Sequence, residues 1–282
     1  MLIAQPPTQK TVDIVAALGG TWRGNQAMCR CPAHIDNTPS LSIRQGDSGM
    51  LVTCFAGCDR ETVLREIGRL DPKRGAPMPD IRAGQGTANV QRLWDQAREV
   101  GGTLAERYLA QRHLPHDLPD IRFHPRCPFR PKPLTVFLPA LLVAVRHGRE
   151  LTAIQRILLD PETSWHRGKF MLGRPGTGAW QPALHGTVLA LAESFEDAAA
   201  FTRLHGIVCW SPLGARRLPL VQLPNTLTKL LIAEDRDAEG ERGAEKAIAA
   251  YRRAGLAIER RTPPAPHKDW SAVNEATAPP VT

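Results

Sequence analysis

No stretch of the chain approaches the roughly 18 consecutive apolar residues of a membrane-spanning helix. Met1 to Lys10 also lack the charged start and apolar run of a secretory signal. A soluble, cytoplasmic protein without a membrane partner is therefore expected. The glycine-rich run Gly173-Arg-Pro-Gly-Thr-Gly178 is not followed by Lys-Ser or Lys-Thr, which excludes a Walker-type phosphate loop. Aromatic residues are sparse, at 5%, with only two tyrosines, Tyr108 and Tyr251. There is no internal repeat. Of six cysteines, four fall between Cys29 and Cys58, a clustering that points to metal binding rather than to a disulfide framework. Cys127 and Cys209 are isolated and expected in the core.

The 282 residues carry a net charge of +8, unevenly placed. Residues 1 to 72 hold 7 Lys/Arg against 7 Asp/Glu, and residues 186 to 282 hold 12 against 12. The segment from 73 to 185 holds 17 against 9, so the whole excess lies there. Such a block is the electrostatic footprint of a protein that meets a polyanion.

Hydrophobic periodicity divides the chain. A short amphipathic helix is predicted from Thr11 to Leu18. Ser40 to Cys54 reads as a β-hairpin, with Leu41 and Ile43 alternating before the turn and Met50, Val52 and Cys54 after it. Asp59 is placed to cap a helix that turns Val63, Leu64, Ile67 and Leu70 to one side. The first domain spans 1–70, and a linker rich in Pro, Gly, Arg and Ala covers 71–89. A helix follows from Val90 to Arg112, interrupted at Gly101-Gly102, and residues 121 to 185 mix short strands with proline-rich loops. Residues 90–185 form a basic subdomain, and residues 186–282 a last domain. There, strands at Val188–Ala192, Ile207–Trp210, Leu227–Ala233 and Leu256–Arg260 alternate with helices at 195–205 and 238–254. Alternation of this kind implies a parallel α/β sheet. The fold class is thus α/β in the last domain and α+β overall.

Zinc takes four soft or borderline ligands in a tetrahedron, commonly delivered as two short-range pairs that a hairpin brings together. Cys31-Pro-Ala-His34 and Cys54-Phe-Ala-Gly-Cys58 are such pairs. Gly57 permits the tight turn that lets backbone amides face the Cys54 thiolate. Cys29 is a spare or an alternative ligand. In the last domain Glu193 directly follows one apolar strand, and Asp235 and Asp237 follow another. Groups at the carboxyl ends of adjacent parallel strands converge in one crevice. Carboxylates crowded in that way repel one another unless a hard cation such as Mg²⁺ neutralises them.

The opening Cys31-Pro-Ala-His34, followed by Thr38-Pro39-Ser40-Leu41-Ser42-Ile43 and Cys54-Phe55, resembles the zinc ribbon of DnaG-type primases, most of all the primase-like proteins of phages and plasmids. Glu193-Ser-Phe-Glu-Asp197, Asp235-Arg-Asp237-Ala-Glu-Gly240 and Lys268-Asp269-Trp270 resemble the three ordered blocks of a Toprim domain. The likeness implies a structural Zn²⁺ and a catalytic Mg²⁺ held by Asp235 and Asp237, with Glu193 in acid/base or metal-linked work and Asp269 in support. Ser194 stands where a glycine commonly follows the glutamate, and Asn274 where a second acid is expected.

The basic segment carries Arg122, Arg126, Arg130 and Lys132 in one cluster, and Arg156, Arg167, Lys169 and Arg174 in a second. With Lys268 these are candidate nucleic-acid or nucleotide contacts, because phosphate contacts supply most of the affinity for a polynucleotide. Phe123, Phe129 and Trp165 lie among them as stacking surfaces or core. Arg156-Ile-Leu-Leu-Asp-Pro161-Glu-Thr163 with His166-Arg-Gly168 resembles the polymerase-core segment of the same family, Arg156 standing where the family has a catalytic lysine. Arginine does not readily exchange a proton, so phosphate binding is its implied role.

The function implied is synthesis of short RNA primers on single-stranded DNA from nucleoside triphosphates, with unwinding left to a separate replicative helicase. The alternatives are another Toprim enzyme, nuclease-like in action, or a non-catalytic zinc/Toprim DNA-binding protein of a mobile element. A topoisomerase needs a tyrosine nucleophile and room for a gate, and two tyrosines in a short chain do not favour it.

Overall fold

The computed structural model describes residues 6–46, 49–79, 85–129 and 134–278. The chain divides into two compact units, one of residues 1–85 with 128–136 and one of residues 86–127 with 137–282.

In the first unit, helix α1 (Gln9–Ala17) is capped by Thr8, whose side chain accepts from the Thr11 amide. A four-stranded antiparallel sheet follows, in the order β1 (Thr21–Arg23), β2 (Gln26–Cys29), β3 (Leu41–Gly46), β4 (Gly49–Cys54). The predicted hairpin is β3–β4, with Leu41 opposite Cys54 and Ile43 opposite Val52. Helix α2 (Arg60–Gly68) starts at the Asp59 cap. The core gathers Ile14 and Val15 of α1, Ala27 and Cys29 of β2, Leu41 and Ile43 of β3, and Val63 and Ile67 of α2. The strands β1 and β2 are not predicted, because a stretch of three or four residues is too short for alternation to show.

The second unit begins with α3 (Gln85–Asp95) and α4 (Leu104–Gln111). The predicted interruption is wider than the glycine pair. Residues 96–103 leave the helix, and Arg98 exchanges two backbone hydrogen bonds of 2.9 and 2.7 Å with Phe123. Residues 121–173 form an antiparallel sheet ordered β5 (Ile121–Phe129), β6 (Val136–His147), β7 (Glu150–Leu159), β8 (His166–Gly173). These strands are long, where the sequence predicts short ones among proline-rich loops. Pro125 and Pro128 lie within β5, an edge strand, where a residue without an N–H is tolerated.

The parallel sheet is ordered β10 (Cys209–Trp210), β9 (Val188–Ala192), β11 (Lys229–Ala233), β12 (Ala257–Arg261). Helices α5 (Phe195–His205), α6 (Ala238–Tyr251) and α7 (Trp270–Thr277) and a 3-10 segment at Ala215–Leu220 complete it. Strand alternation gives the sheet two differently built faces. Ala190, Ala192, Leu231 and Ala233 share a core with Phe195, Ala198, Ala199 and Phe201 of α5 and with Trp270 and Val273 of α7. Leu189, Leu191, Leu230 and Ile232 pack with Leu218, Ala244 and Ala247 on the other side. The alanines of β9 and α5 keep the first face thin, which lets the start of α5 lie close over the strand ends.

Candidate functional site

In the first unit the two ligand pairs are joined by the β3–β4 hairpin. One ligand atom from each of Cys31, His34, Cys54 and Cys58 lies within 4.8 Å of the others. His34 Nδ1 is 3.2 Å from Cys58 Sγ and 4.0 Å from Cys54 Sγ, so it is the nitrogen turned to the sulfurs. Burial pushes the Cys54 thiol up, but the amides of Cys58 and Ala56 outweigh it and hold the group below its usual range. Gly57, at φ +101°, makes that turn. Cys29 is fully buried in the core of the ribbon and is outside the cluster.

A residue that spacing alone did not single out organises these ligands. Asp36 accepts from the Cys31 amide at 2.6 Å, the Ser40 hydroxyl at 2.6 Å and the Ser40 amide at 3.1 Å, with His34 Nε2 3.8 Å from its other oxygen. The Thr38-Pro39-Ser40 strand start thus has a structural reason. It supplies the donors that orient the carboxylate behind the histidine, an outer contact of the kind that tunes metal ligands.

In the second unit the parallel strands β9 and β11 run in register, Ala192 beside Ala233. The chain leaves both strands at the same end of the sheet, carrying Glu193 from one and Asp235 and Asp237 from the other. Three helices begin there, capped by Ser194, Asp237 and Asp269. Asp237 Oδ1 accepts from the amides of Glu239 and Gly240, at 2.9 and 2.8 Å, and Asp269 Oδ1 from that of Ala272 at 2.7 Å. Capping fixes each aspartate while occupying only one oxygen. Asp237 Oδ2 takes the Lys268 ammonium at 3.1 Å.

Asp235 is half-buried, and its Oδ1 is shielded from solvent with no hydrogen-bond donor. Burial, then the carboxylates of Asp197, Glu193, Asp269 and Asp237, pushes its carboxyl up to about 8. Burial likewise raises Glu193, helped by Glu239 and Asp237. Such a group of acids without a matching set of cations has the donor chemistry of a hard divalent ion site. Asp197, on α5, is a further member. It accepts from the Ser271 amide at 2.9 Å and from the Ser194 hydroxyl, and burial raises it to about 6. Its position four residues after Glu193 was the available signal, one turn along a capped helix.

The candidate cations are dispersed. Lys268 is beside the carboxylates. Lys169, on β8, pairs at 2.7 Å with Glu196, which is 1% exposed and also accepts from the Tyr108 hydroxyl. Burial pushes Glu196 up, yet Lys169, Tyr108 and Arg112 outweigh it and hold it at about 2. Arg167 makes hydrogen bonds of 2.8 and 2.6 Å to Asp160. Arg122 donates to the Trp94 carbonyl at 2.9 Å and lies over the Trp94 ring. Arg126 is exposed on β5 over the Phe137 ring. Arg156 sits on β7 beside Cys127, with its Nε shielded from solvent. Arg130 and Lys132 lie outside the described residues.

Comparison with known proteins places this geometry. Residues 188–278 match the Toprim domain family, and residues 84–182 match a domain of unknown function, DUF7146. No curated protein matches the sequence. Among solved structures, a DNA primase domain from Pseudomonas aeruginosa aligns over 68% of this chain and 74% of its own, at 12% identity and a TM-score of 0.51. The DnaG primase catalytic domain bound to single-stranded DNA aligns over the same shares at 13% identity and a TM-score of 0.51. The zinc-binding and RNA polymerase domains of the Aquifex aeolicus primase align over 95% of this chain and 81% of theirs, at 15% identity and a TM-score of 0.49.

The chain thus carries a Toprim domain over residues 188–278 and a Cys-His-Cys-Cys cluster in its first unit. Over 68% of its length its fold is similar to that of DnaG-type primase catalytic domains.

Proposed function

We propose that this protein is a DNA primase that makes short RNA primers on single-stranded DNA by Mg²⁺-dependent nucleotidyl transfer. The observation that carries the reading is Asp235: a half-buried carboxyl just past the end of a parallel strand, with an oxygen that meets no donor, which burial and the charges of Asp197, Glu193, Asp269 and Asp237 push upward. Beside Glu193, Asp235 and Asp237 would hold Mg²⁺, which when bound would neutralise charge on the triphosphate and on the departing pyrophosphate.

The remaining chemistry belongs to the side chains. The primer 3′-oxygen forms a bond to the α-phosphorus as the bond to the bridging oxygen breaks and pyrophosphate leaves. Glu193, raised by burial, is suited to take the hydroxyl proton. Lys268, exposed beside Asp237, is available to phosphate oxygens. Asp197 and Asp269 hold the starts of α5 and α7 in place around the site. In the ribbon, Cys31, His34, Cys54 and Cys58 would hold a structural Zn²⁺, for which three sulfurs and an oriented imidazole, brought together by a hairpin, are a fitting donor set. The basic residues of 73–185, Arg126 among them, would meet the template backbone. Unwinding is assigned to a separate replicative helicase.

The test is a gel assay with single-stranded templates, labelled triphosphates and Mg²⁺. Template-dependent oligoribonucleotides that vanish in Asp235→Asn support the reading. Cleavage of the template with Mg²⁺ would instead identify a nuclease, and template binding without either product a non-catalytic DNA-binding protein.

A further inference from the structure

We infer that Trp165 is a stacking platform for one base of the single-stranded DNA that enters the carboxylate site, an inference that rests on the primase reading. Trp165 is 42% exposed, although it is among the largest apolar side chains of the protein. It sits in the turn between β7 and β8, and that turn is heavily reinforced. Asp160 Oδ1 accepts from the amides of Glu162 and Thr163, at 2.9 and 3.0 Å, and Asp160 Oδ2 binds the Arg167 guanidinium. The Asp160 amide donates to the Trp165 carbonyl at 2.7 Å, and Gln111 holds the Thr163 carbonyl at 2.9 Å. Ser164, directly before the tryptophan, is buried in the left-handed region at φ +62°, a conformation that a serine keeps only where its surroundings impose it.

Strain and hydrogen bonds are thus used to present an indole that is then left half open. The Arg112 guanidinium lies 4.7 Å from the indole centroid, with Tyr108 edge-on at 6.2 Å. Arg112 is itself fixed, donating to Ser271 Oγ at 3.1 Å and Glu275 at 3.3 Å, while Asn274 Nδ2 donates to its carbonyl at 2.8 Å. Arg112 and the His166 ring, tilted at 43° with its centroid 5.5 Å away, hold the indole rigid, and its exposed part is left to stack. The same contacts lead to the site, since the Ser271 amide donates to Asp197, a neighbour of Asp235.

The charge around Trp165 selects the occupant. Arg112 is paired with Glu275, Arg167 with Asp160, and Lys169 with Glu196, all at 2.6 to 3.3 Å. Cations already matched one for one by carboxylates are a poor cradle for the several charges of a free triphosphate. A base in a strand needs only an aromatic face here, because its phosphates can be met elsewhere along the basic segment.

The experiment compares the full-length protein with Trp165→Phe and Trp165→Leu, titrated with an oligodeoxythymidylate and separately with a ribonucleoside triphosphate. The phenylalanine variant should bind the oligonucleotide within about threefold of wild type, and the leucine variant about tenfold or more weaker, as expected for one lost stack. The slope of log affinity against log salt should not change, since no phosphate contact is removed. The oligonucleotide should also quench tryptophan emission in the wild type more than in Trp165→Phe, a readout that holds even if the leucine variant proves unstable. Equal oligonucleotide affinity in all three proteins, equal quenching, or a loss confined to the triphosphate overturns the stacking role alone. A wild-type protein that binds no single-stranded DNA overturns the primase reading as well.

Discussion

The backbone amide of Arg236 donates to the carbonyl of Lys268 at 2.6 Å, fastening the loop that carries Asp235 and Asp237 to the loop that carries Lys268 and Asp269. The Arg236 side chain adds a second tie, to the Pro263 carbonyl at 3.1 Å. Two acidic blocks far apart in the sequence are therefore held as one surface by a main-chain contact, and Asp235, whose carboxylate caps no helix, can be altered without removing it.

Asp235→Asn keeps the shape of the side chain and removes one charge from a crowd of acids. Primer synthesis should fall by about two orders of magnitude or more, with template binding retained. Without added metal the variant should melt at a higher temperature than the wild type at pH 7, because folding no longer requires a buried carboxyl among Glu193, Asp197, Asp237 and Asp269 to take up a proton. Mg²⁺ should narrow that gap by stabilising the wild type more. A lower melting temperature for the variant would show that the carboxylates are not crowded as described.

Gly240→Ala probes the close approach of α6 to the same loop. A Cβ there would lie 2.5 Å from the Asp235 carbonyl oxygen and 2.9 Å from its amide nitrogen, and both are backbone atoms that can yield only if the loop moves. Activity should drop at least tenfold, although alanine is the better helix former. Stability should fall by about 1 to 3 kcal/mol, the usual cost of overpacking. Gly206→Ala does not serve as a control, since Gly206 adopts φ +65° and ends its helix in the left-handed region.

Metal analysis separates the ribbon cysteines. Cys29→Ala should retain one zinc per chain, since its sulfur is in the core and outside the cluster, whereas Cys31→Ala and His34→Ala should lose it. Asp36→Ala should retain zinc with affinity lowered by about tenfold or more, the usual effect of deleting an outer partner. A Cys29→Ala protein without zinc would reassign the ligand set.

The pair formed by Lys169 and Glu196 gives a pH-dependent prediction. Glu196 is held at about 2, below the roughly 4.3 of an unfolded glutamate. Its contribution to stability is therefore complete above about pH 4.3 and is lost as the pH falls through about 2. Lys169→Met leaves the carboxyl buried beside Tyr108 and should cost about 3 kcal/mol at neutral pH. Denaturation at pH 7 and pH 3 should show that deficit shrinking on acidification, because a protonated Glu196 no longer needs the ammonium. A deficit that is the same at both values would mean that Lys169 contributes only packing.

Local signals reached some of this structure and stopped short of the rest. The apolar run Val188–Ala192 marks β9 to the residue, since burial on both faces of a parallel strand is written into adjacent positions, and the helix expected at 195–205 is α5. The helix at Trp270–Thr277 is not predicted despite its Asp269 cap, being short and stabilised by contacts with α5. The strand at Ile121–Phe129 was obscured by Pro125 and Pro128, which its edge position makes acceptable. Asp36 and Asp197 were missed because their roles depend on donors, Ser40 and Ser271, whose direction follows from folding.

What the sequence determined by itself is the local chemistry. It sets the spacing of the Cys-x-x-His and Cys-x-x-x-Cys pairs around a hairpin, the order of strands and helices in the last domain, and the acids placed just after two apolar strands. Tertiary structure alone decided which charges cancel. It placed Lys169 against Glu196, Arg112 against Trp165, and four other carboxylates close enough to raise Asp235, one of whose oxygens meets no donor. The physical reason is range: secondary-structure signals act over a few residues, whereas burial and electrostatics depend on which segments the packed sheet brings within a few ångströms.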